Sequence, residues 1–306
     1  MSTIQNETGF DAIVVGGSYA GLSAAMQLAR ARRRVLVVDA GQRRNRFADR
    51  SHGFLTQDGT EAAVIAAQGR AQLLAYPNVR WVEGKAVQAV AEGDGFRLRL
   101  EDGTSVAGRR LVLASGVIDE LPPIAGLFER WGKHVFHCPY CHGYELDEGA
   151  IGVIATSELA MHHALMLPDW GSVTLFLNGT FEPDAAQLAA LASRGVTLER
   201  TPVARIDGAA DVVLTDGRTL PMAGLFAMPH MRMASPLAQQ LGCAMEDGHA
   251  GQFVHTDAMK ASSVANVFCC GDMARAAGNV AMAVADGAMA GVAAHRSLIA
   301  ELNVPA

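Results

Sequence analysis

The segment His137-Cys138-Pro139-Tyr140-Cys141-His142 gathers more reactive side chains than any other stretch of the sequence. Two thiols three positions apart can close a small disulfide ring when the first turn of a helix forms. A free thiol of pKa about 8.5 is only about 3% thiolate at pH 7. A helix N-terminus or a protonated histidine lowers that pKa to about 3.5–7.5, which raises the thiolate fraction up to about thirtyfold. Intrinsic nucleophilicity falls somewhat in exchange. The flanking histidines, His137 and His142, suit a site that moves protons near neutral pH. Zinc is the competing use of this segment. Adjacent His-Cys and Cys-His pairs cannot easily wrap one tetrahedron, however, and no second C-x-x-C occurs, so no metal is expected. The remaining cysteines, Cys243, Cys269 and Cys270, read as packing residues, the last two in a buried strand.

A second constellation lies near the N-terminus. A short apolar run, Asp11 to Val15, ends in Gly16-Gly17-Ser18-Tyr19-Ala20-Gly21. A helical pattern follows from Leu22 to about Ala31, then a second apolar run, Val35 to Val38, ending in Asp39. Strand, glycine turn, helix, strand and acid in that order predict a dinucleotide site. The turn lets backbone approach a pyrophosphate, the helix N-terminus presents free N–H groups, and Asp39 suits ribose hydroxyls. Ser18 replaces the middle glycine of the G-x-G-x-x-G pattern. Gly271-Asp272, after the strand Val267 to Cys270, is a second hint, because a carboxylate there can hold a ribityl or ribose hydroxyl.

The rest of the sequence must position these groups. Residues 79 to 113 alternate, with turns at Gly93-Asp94-Gly95 and Asp102-Gly103, and predict an antiparallel meander closing in Leu111-Val112-Leu113 and Ala114-Ser115-Gly116. Leu121-Pro122-Pro123 reads as a linker. A second βαβ pattern begins at Ala150: strand Ile151 to Ile154, helix Glu158 to Leu167, strand Val173 to Leu177, helix Asp184 to Ser193. Val212 to Leu214 with Asp216-Gly217 predicts a hairpin. A long helix from Val280 to about Ile299 follows near the C-terminus, its Met282, Met289 and alanines expected in the core. The 306 residues suggest two domains at about 150 each. A net charge of −6 gives no electrostatic footprint for nucleic acid. No apolar run approaches the roughly 18 to 20 residues of a membrane span, and the polar start, Met1 to Asp11, does not read as a secretory signal. Five cysteines, only two in a recognisable spacing, suit a reduced intracellular compartment, so a cytoplasmic protein is expected.

On these residues the sequence resembles the low-molecular-weight thioredoxin reductase family of flavoproteins along essentially its whole length. An isolated glutaredoxin-like module also carries C-P-Y-C, but near its own N-terminus and not between two nucleotide units. The anchors are the Gly16–Gly21 turn, Ala114-Ser115-Gly116, the central C-x-x-C motif and Cys270-Gly271-Asp272. The resemblance implies an α/β fold of two Rossmann-like, three-layer nucleotide-binding domains. It implies a discontinuous FAD-binding domain from residues 1–117 and 247–306, an NAD(P)-binding-like domain over 118–246 that carries the dithiol, and a homodimer. It implies FAD at Gly16, Gly17, Ser18, Gly21, Asp39, Ala114, Gly116, Gly271, Asp272, Val280 and Ala281. Cys141 is then the flavin-proximal thiol and Cys138 the one that exchanges with substrate. Where the family usually has an Asp after the second Cys, this protein has His142.

The departures bear on the electron donor. The reductases carry a second glycine turn for NADPH, and here the matching residues are Ala155-Thr156-Ser157, followed by Glu158. Their His-Arg-Arg run for the 2′-phosphate is matched by Leu177-Asn178-Gly179, with no cation. Side chains where a pyrophosphate needs bare backbone, and a carboxylate near the helix start, argue against NADPH. The run Cys138 to Glu145 is more similar to a side branch, the dithiol oxidases of gliotoxin- and holomycin-type metabolites. There electrons pass from a substrate dithiol through C-x-x-C and FAD to oxygen, and a histidine pocket acts as base. That likeness implies base roles for His137 and His142, with His230 a weaker candidate, and a small-molecule or protein dithiol as substrate. The alternatives are an NADPH-dependent disulfide reductase, a reductase fed by a ferredoxin or flavoprotein, and a non-enzymatic nucleotide-bound module.

Overall fold

A computed structural model of the protein describes residues 9–299. The polar start lies outside those residues up to position 8. The protein divides into two compact units. One comprises the sequence up to Arg44, Ala63–Ile118 and the part from Met231 onward, and the other comprises Asn45–Ala62 and Asp119–His230. The sequence expectation sets the limits at 117/118 and 246/247. In the structure residues 231–246 group with the first unit, because Leu237, Ala238 and Cys243 are part of its core. Segment 45–62 groups with the second unit, where Phe47 packs edge-on against Phe128.

The first unit is built on a seven-stranded sheet ordered Val79–Glu83, Val35–Asp39, Phe10–Val15, Ser105–Leu113, Gly95–Leu100, Ala86–Glu92, with Val267–Cys269 also paired to Ser105–Leu113. Side chains alternate across a strand. Ile13 and Val15 therefore face a core with Leu36, Leu98, Leu111 and Met273, while Ala12 and Val14 face the helices. Both faces are covered, which is why these strands read as unbroken apolar runs. The meander is real only for 86–113. Val79–Glu83 pairs parallel with Val35–Asp39 at the opposite edge, since the helix Ala62–Leu74 leads back as a crossover. The sequence pattern does not reveal that helix, because its apolar residues fall on all sides and leave no periodic stripe.

The helices Tyr19–Arg30 and Val280–Ser297 lie in close contact on one face of the sheet. Ser23 Oγ donates to the Val284 carbonyl at 2.7 Å, and Gly287 and Gly291 lie against the backbone of Ala20 and Ala24. The alanines Ala283, Ala290 and Ala294 are buried as expected, but Met282 and Met289 are 43% and 36% exposed. The near approach of the two helices leaves room at their contact only for small side chains, so the methionines turn outward. Asp286, on the same helix, is fully buried and paired with Arg275 at 2.6 Å and Lys260 at 3.1 Å.

The second unit holds a parallel five-stranded sheet ordered Val135–Phe136, Gly224–Ala227, Glu148–Ile154, Gly171–Phe176, Thr197–Glu199. Ala160–Met166 and Ala185–Ser193 are its helices, the second started by a capping box between Asp184 and Gln187. The expected hairpin is present as Asp211–Leu214 with Thr219–Leu220. No described helix is long and apolar enough to cross a membrane.

The helix contact gives a direct test. Gly287→Val drives a side chain into the Ala20 carbonyl and should destabilise the protein by about 1–3 kcal/mol or more. Thermal unfolding of the two proteins reads this as a lowered Tm.

Candidate active site

Cys138 and Cys141 are joined in a disulfide. Cys138 occupies the N-cap of a single helical turn, Pro139–His142, with extended backbone. Proline at the first position suits this start, since its missing N–H would have had no helical partner. The turn closes through the Cys141 N–H to the Cys138 carbonyl at 3.2 Å and the Gly143 N–H to the Pro139 carbonyl at 2.7 Å. Gly143 has to be bare, because a methyl there would meet both the Pro139 carbonyl and the Trp170 ring at under 3 Å. Tyr140 leans edge-on against Trp170 and is largely exposed, so the disulfide ring sits at the surface of its unit.

The two histidines predicted beside it are held by stacking. His142 lies parallel to Phe136 with ring centroids 4.2 Å apart, and His137 stacks on Trp131 at 5.8 Å. Burial, and secondarily the proximity of His52, push the His142 pKa down to about 4. Its imidazole is therefore neutral at pH 7 and available as a proton acceptor. Three residues that the sequence does not single out complete the surroundings. His52 faces His142 edge-on at 6.4 Å, and its Nδ1 lies 3.2 Å from Glu145 Oε1. His163 is buried behind the turn against Phe226, with its Nδ1 unpartnered and its pKa likewise lowered to about 4 by burial, then by His162. His52 comes from a loop some 90 residues away, so only its spacing to Asp58 between Gly53 and Gly59 hints at an organised loop. His230 is exposed on the strand His230–Met233 and is not the core histidine that its apolar neighbours suggest.

The nucleotide residues lie together in the first unit. Gly16 has φ +106°, and a methyl on it would overlap the Ala114 carbonyl. Gly17 donates its N–H to Asp39 Oδ1 at 3.0 Å, and a methyl there would lie 2.7 Å from that carboxyl carbon. Gly21 packs on the Gly16 carbonyl. Ser18 is the N-cap of Tyr19–Arg30, whose first turn carries no acid. Glycine is thus required by close approach at 16, 17 and 21, and Ser18 is tolerated between them. Ala114 is bonded to the Val15 carbonyl, and Gly116, at φ +71°, accepts from Ala234 N–H. Gly271 has φ +74°, and Asp272 pairs with Arg44 at 3.0 Å. Val280 and Ala281 open the long helix behind Asn279, whose Oδ1 accepts the Met282 N–H at 2.9 Å. A bare turn, a helix start without acids and two carboxylates at strand ends fit a dinucleotide.

The corresponding turn of the second unit is filled by its own side chains. Thr156 Oγ1 donates to the Met228 carbonyl at 2.8 Å, and Ser157 Oγ accepts the Leu159 N–H at 3.3 Å. Glu158 is engaged by Gln187 at 2.6 Å. Asn178 Oδ1 accepts the Val203 N–H at 3.0 Å. The other cysteines are buried; burial pushes the Cys270 thiol up to about 12, whereas a hydrogen bond with Cys269 holds the Cys243 thiol down to about 7. Among the described residues no cluster of His, Cys, Asp or Glu could hold a metal ion.

Residues 10–287 match the model of the family described as pyridine nucleotide-disulphide oxidoreductase. The protein is 34% identical to "Thioredoxin reductase tcpT" of Claviceps purpurea (strain 20.1), over 96% of this sequence and 95% of that one. Among solved structures, the oxidoreductase from Agrobacterium tumefaciens is 57% identical with a TM-score of 0.93, covering 95% of this protein and 98% of the other. The crystal structure of HlmI is 35% identical with a TM-score of 0.90, covering 96% and 93%.

The buried histidine makes a stability prediction. His163 stays neutral when folded, whereas an unfolded histidine charges below about pH 6.5. Stability is therefore fully present above pH 6.5 and falls as the pH drops towards 4, by about 3 kcal/mol for this residue. Urea midpoints measured across that range should fall on acidification, and fall less in His163→Gln.

Proposed function

The protein belongs to the pyridine nucleotide-disulphide oxidoreductase family, as a thioredoxin reductase-like flavoenzyme, and from that premise we propose that it oxidises a dithiol substrate to a disulfide with oxygen as acceptor. Membership implies FAD, and the first unit fits it. Gly16, Gly17, Ser18 and Gly21 would carry the pyrophosphate, and Asp39 and Asp272 the hydroxyls. Ala114, Gly116, Gly271, Val280 and Ala281 would offer backbone to the rest. When bound, FAD supplies the two-electron chemistry, taking the pair from the reduced dithiol and passing it to oxygen.

The protein's own residues perform the thiol exchange. A substrate thiol gives its proton to an imidazole, His142 or His137. The thiolate attacks Cys138 Sγ and Cys141 leaves with the electron pair of the broken bond. The second substrate sulfur then displaces Cys138, releasing the substrate as a disulfide and leaving the enzyme's pair reduced. The observation that carries this reading is the Cys138–Cys141 disulfide with the next residue, His142, held flat on Phe136. The filled turn at Ala155–Ser157, with no cation at 177–179, supports a donor other than NADPH. The working form in this reading is a cytoplasmic homodimer acting on a small-molecule or protein dithiol.

A second reading is a disulfide reductase, favoured by the name "thioredoxin reductase" on the Claviceps purpurea relative. Anaerobic mixing with NADPH separates the two. The oxidase reading predicts that the flavin colour persists, and fast bleaching would favour the reductase. Cys138→Ser and Cys141→Ser should both purify yellow, with dithiol turnover abolished. Full turnover in Cys141→Ser would remove the basis of the scheme.

A further inference from the structure

Dithiol exchange leaves a proton without a home. Attack on Cys138 breaks one substrate S–H bond and the Cys138–Cys141 bond, and forms one substrate–Cys138 bond. Cys141 departs as a thiolate, so the lost proton rests on nitrogen. In the second step the other substrate sulfur loses its proton and displaces Cys138, whose thiolate takes that proton up. The balance is one substrate disulfide, one Cys138 thiol, one Cys141 thiolate and one proton to be kept nearby. His142 is a poor place to keep it. Burial holds the His142 imidazole well below the thiol it would have to deprotonate, so the proton does not rest there.

We infer that His52, oriented by Glu145, takes this proton from His142 and stores it at the edge of the site. This rests on the dithiol-oxidation reading above. Four observations carry it, all within the unit that holds the disulfide. First, His52 is the imidazole facing His142, edge to face with ring centroids 6.4 Å apart. Second, its Nδ1 lies 3.2 Å from Glu145 Oε1. A carboxylate at that distance offsets the positive charge of an imidazolium that forms at His52.

Third, the loop is built to hold the ring. Arg50–Ser51 pairs with Thr60–Glu61, the Gly59 N–H donates to the Ser51 carbonyl at 3.0 Å, and Asp58 Oδ1 accepts the Gly53 N–H at 2.8 Å. Arg50, the cation of this loop, donates to the Gly59 carbonyl at 2.7 Å. Fourth, the cluster opens towards solvent: His142 and His52 are both part-buried, whereas Glu145 is 40% exposed and Asp58, 3.8 Å from the same Nδ1, 73%. The titratable groups around His52 are thus His142, Glu145 and Asp58, one inward and two outward. His52 acts through His142 and is a positioning and proton-holding residue, not one placed at the sulfurs.

The test follows opening of the disulfide itself. Anaerobic protein is mixed with dithiothreitol, quenched in acid and alkylated, and mass spectrometry counts the freed Cys138 and Cys141 across a pH series. His52→Asn should slow opening by roughly tenfold to a hundredfold and move the pH profile, and added imidazole should restore much of the rate. Glu145→Gln, which keeps the shape but removes the charge, should slow it less and shift the profile the same way. This second variant decides the matter if His52→Asn does not fold. Wild-type rates and an unmoved profile in both variants would overturn the role of His52 and leave the oxidase reading standing. A wild-type disulfide that dithiothreitol cannot open would overturn both.

Discussion

In the proposed exchange a disulfide attacked by a thiolate releases another thiolate, so a new negative sulfur and a displaced proton have to be held close together in partly dry surroundings. The neighbourhood of Cys138 and Cys141 answers this constraint. His142 is pressed flat on Phe136, and burial pushes its pKa down, which suits the proposed role of a passing proton acceptor. The aromatic bed has a second effect. It fixes the ring's plane by packing. The single helical turn of Pro139–His142 puts thiol and imidazole on adjacent residues, and the bare Gly143 lets that turn rest against Trp170.

The first unit solves a different problem by the same means, close approach. Gly16, Gly17 and Gly21 are bare because Ala114, Asp39 and the Gly16 carbonyl already occupy the space a side chain would need. Gly287 and Gly291 bring the long helix onto the first helix for the same reason. Compact backbone is what presents N–H groups to an anion and brings a carboxylate from the next strand within reach. The matching turn of the second unit shows the converse. Thr156, Ser157 and Glu158 have side chains, and each is bonded within the unit. One βαβ design thus has two outcomes in one protein, set by three side chains.

What can be read from the sequence is local. The C-x-x-C with its histidines, the glycine turn and Asp39 are each defined by sequence neighbours, and the α/β class follows from alternating apolar runs. What cannot be read depends on distant partners. Nothing within the Ser51–Gly53 stretch says that its histidine faces a ring ninety residues on, nor that Glu145 turns towards it. The helix Ala62–Leu74 lacks a polar side to reveal its period, and without it Val79–Glu83 reads as part of the meander at the wrong edge of the sheet. Met282 and Met289 read as core because they are apolar, but the spacing between the two helices admits only alanine and glycine there.

The most direct measurement is an absorbance titration of the purified protein with dithiothreitol in the absence of air, followed by readmission of oxygen. The account predicts a yellow protein whose flavin band is lost in proportion to added dithiol and returns with oxygen. Colourless protein, or a band that stays unchanged while Cys138 and Cys141 become free thiols, would contradict it.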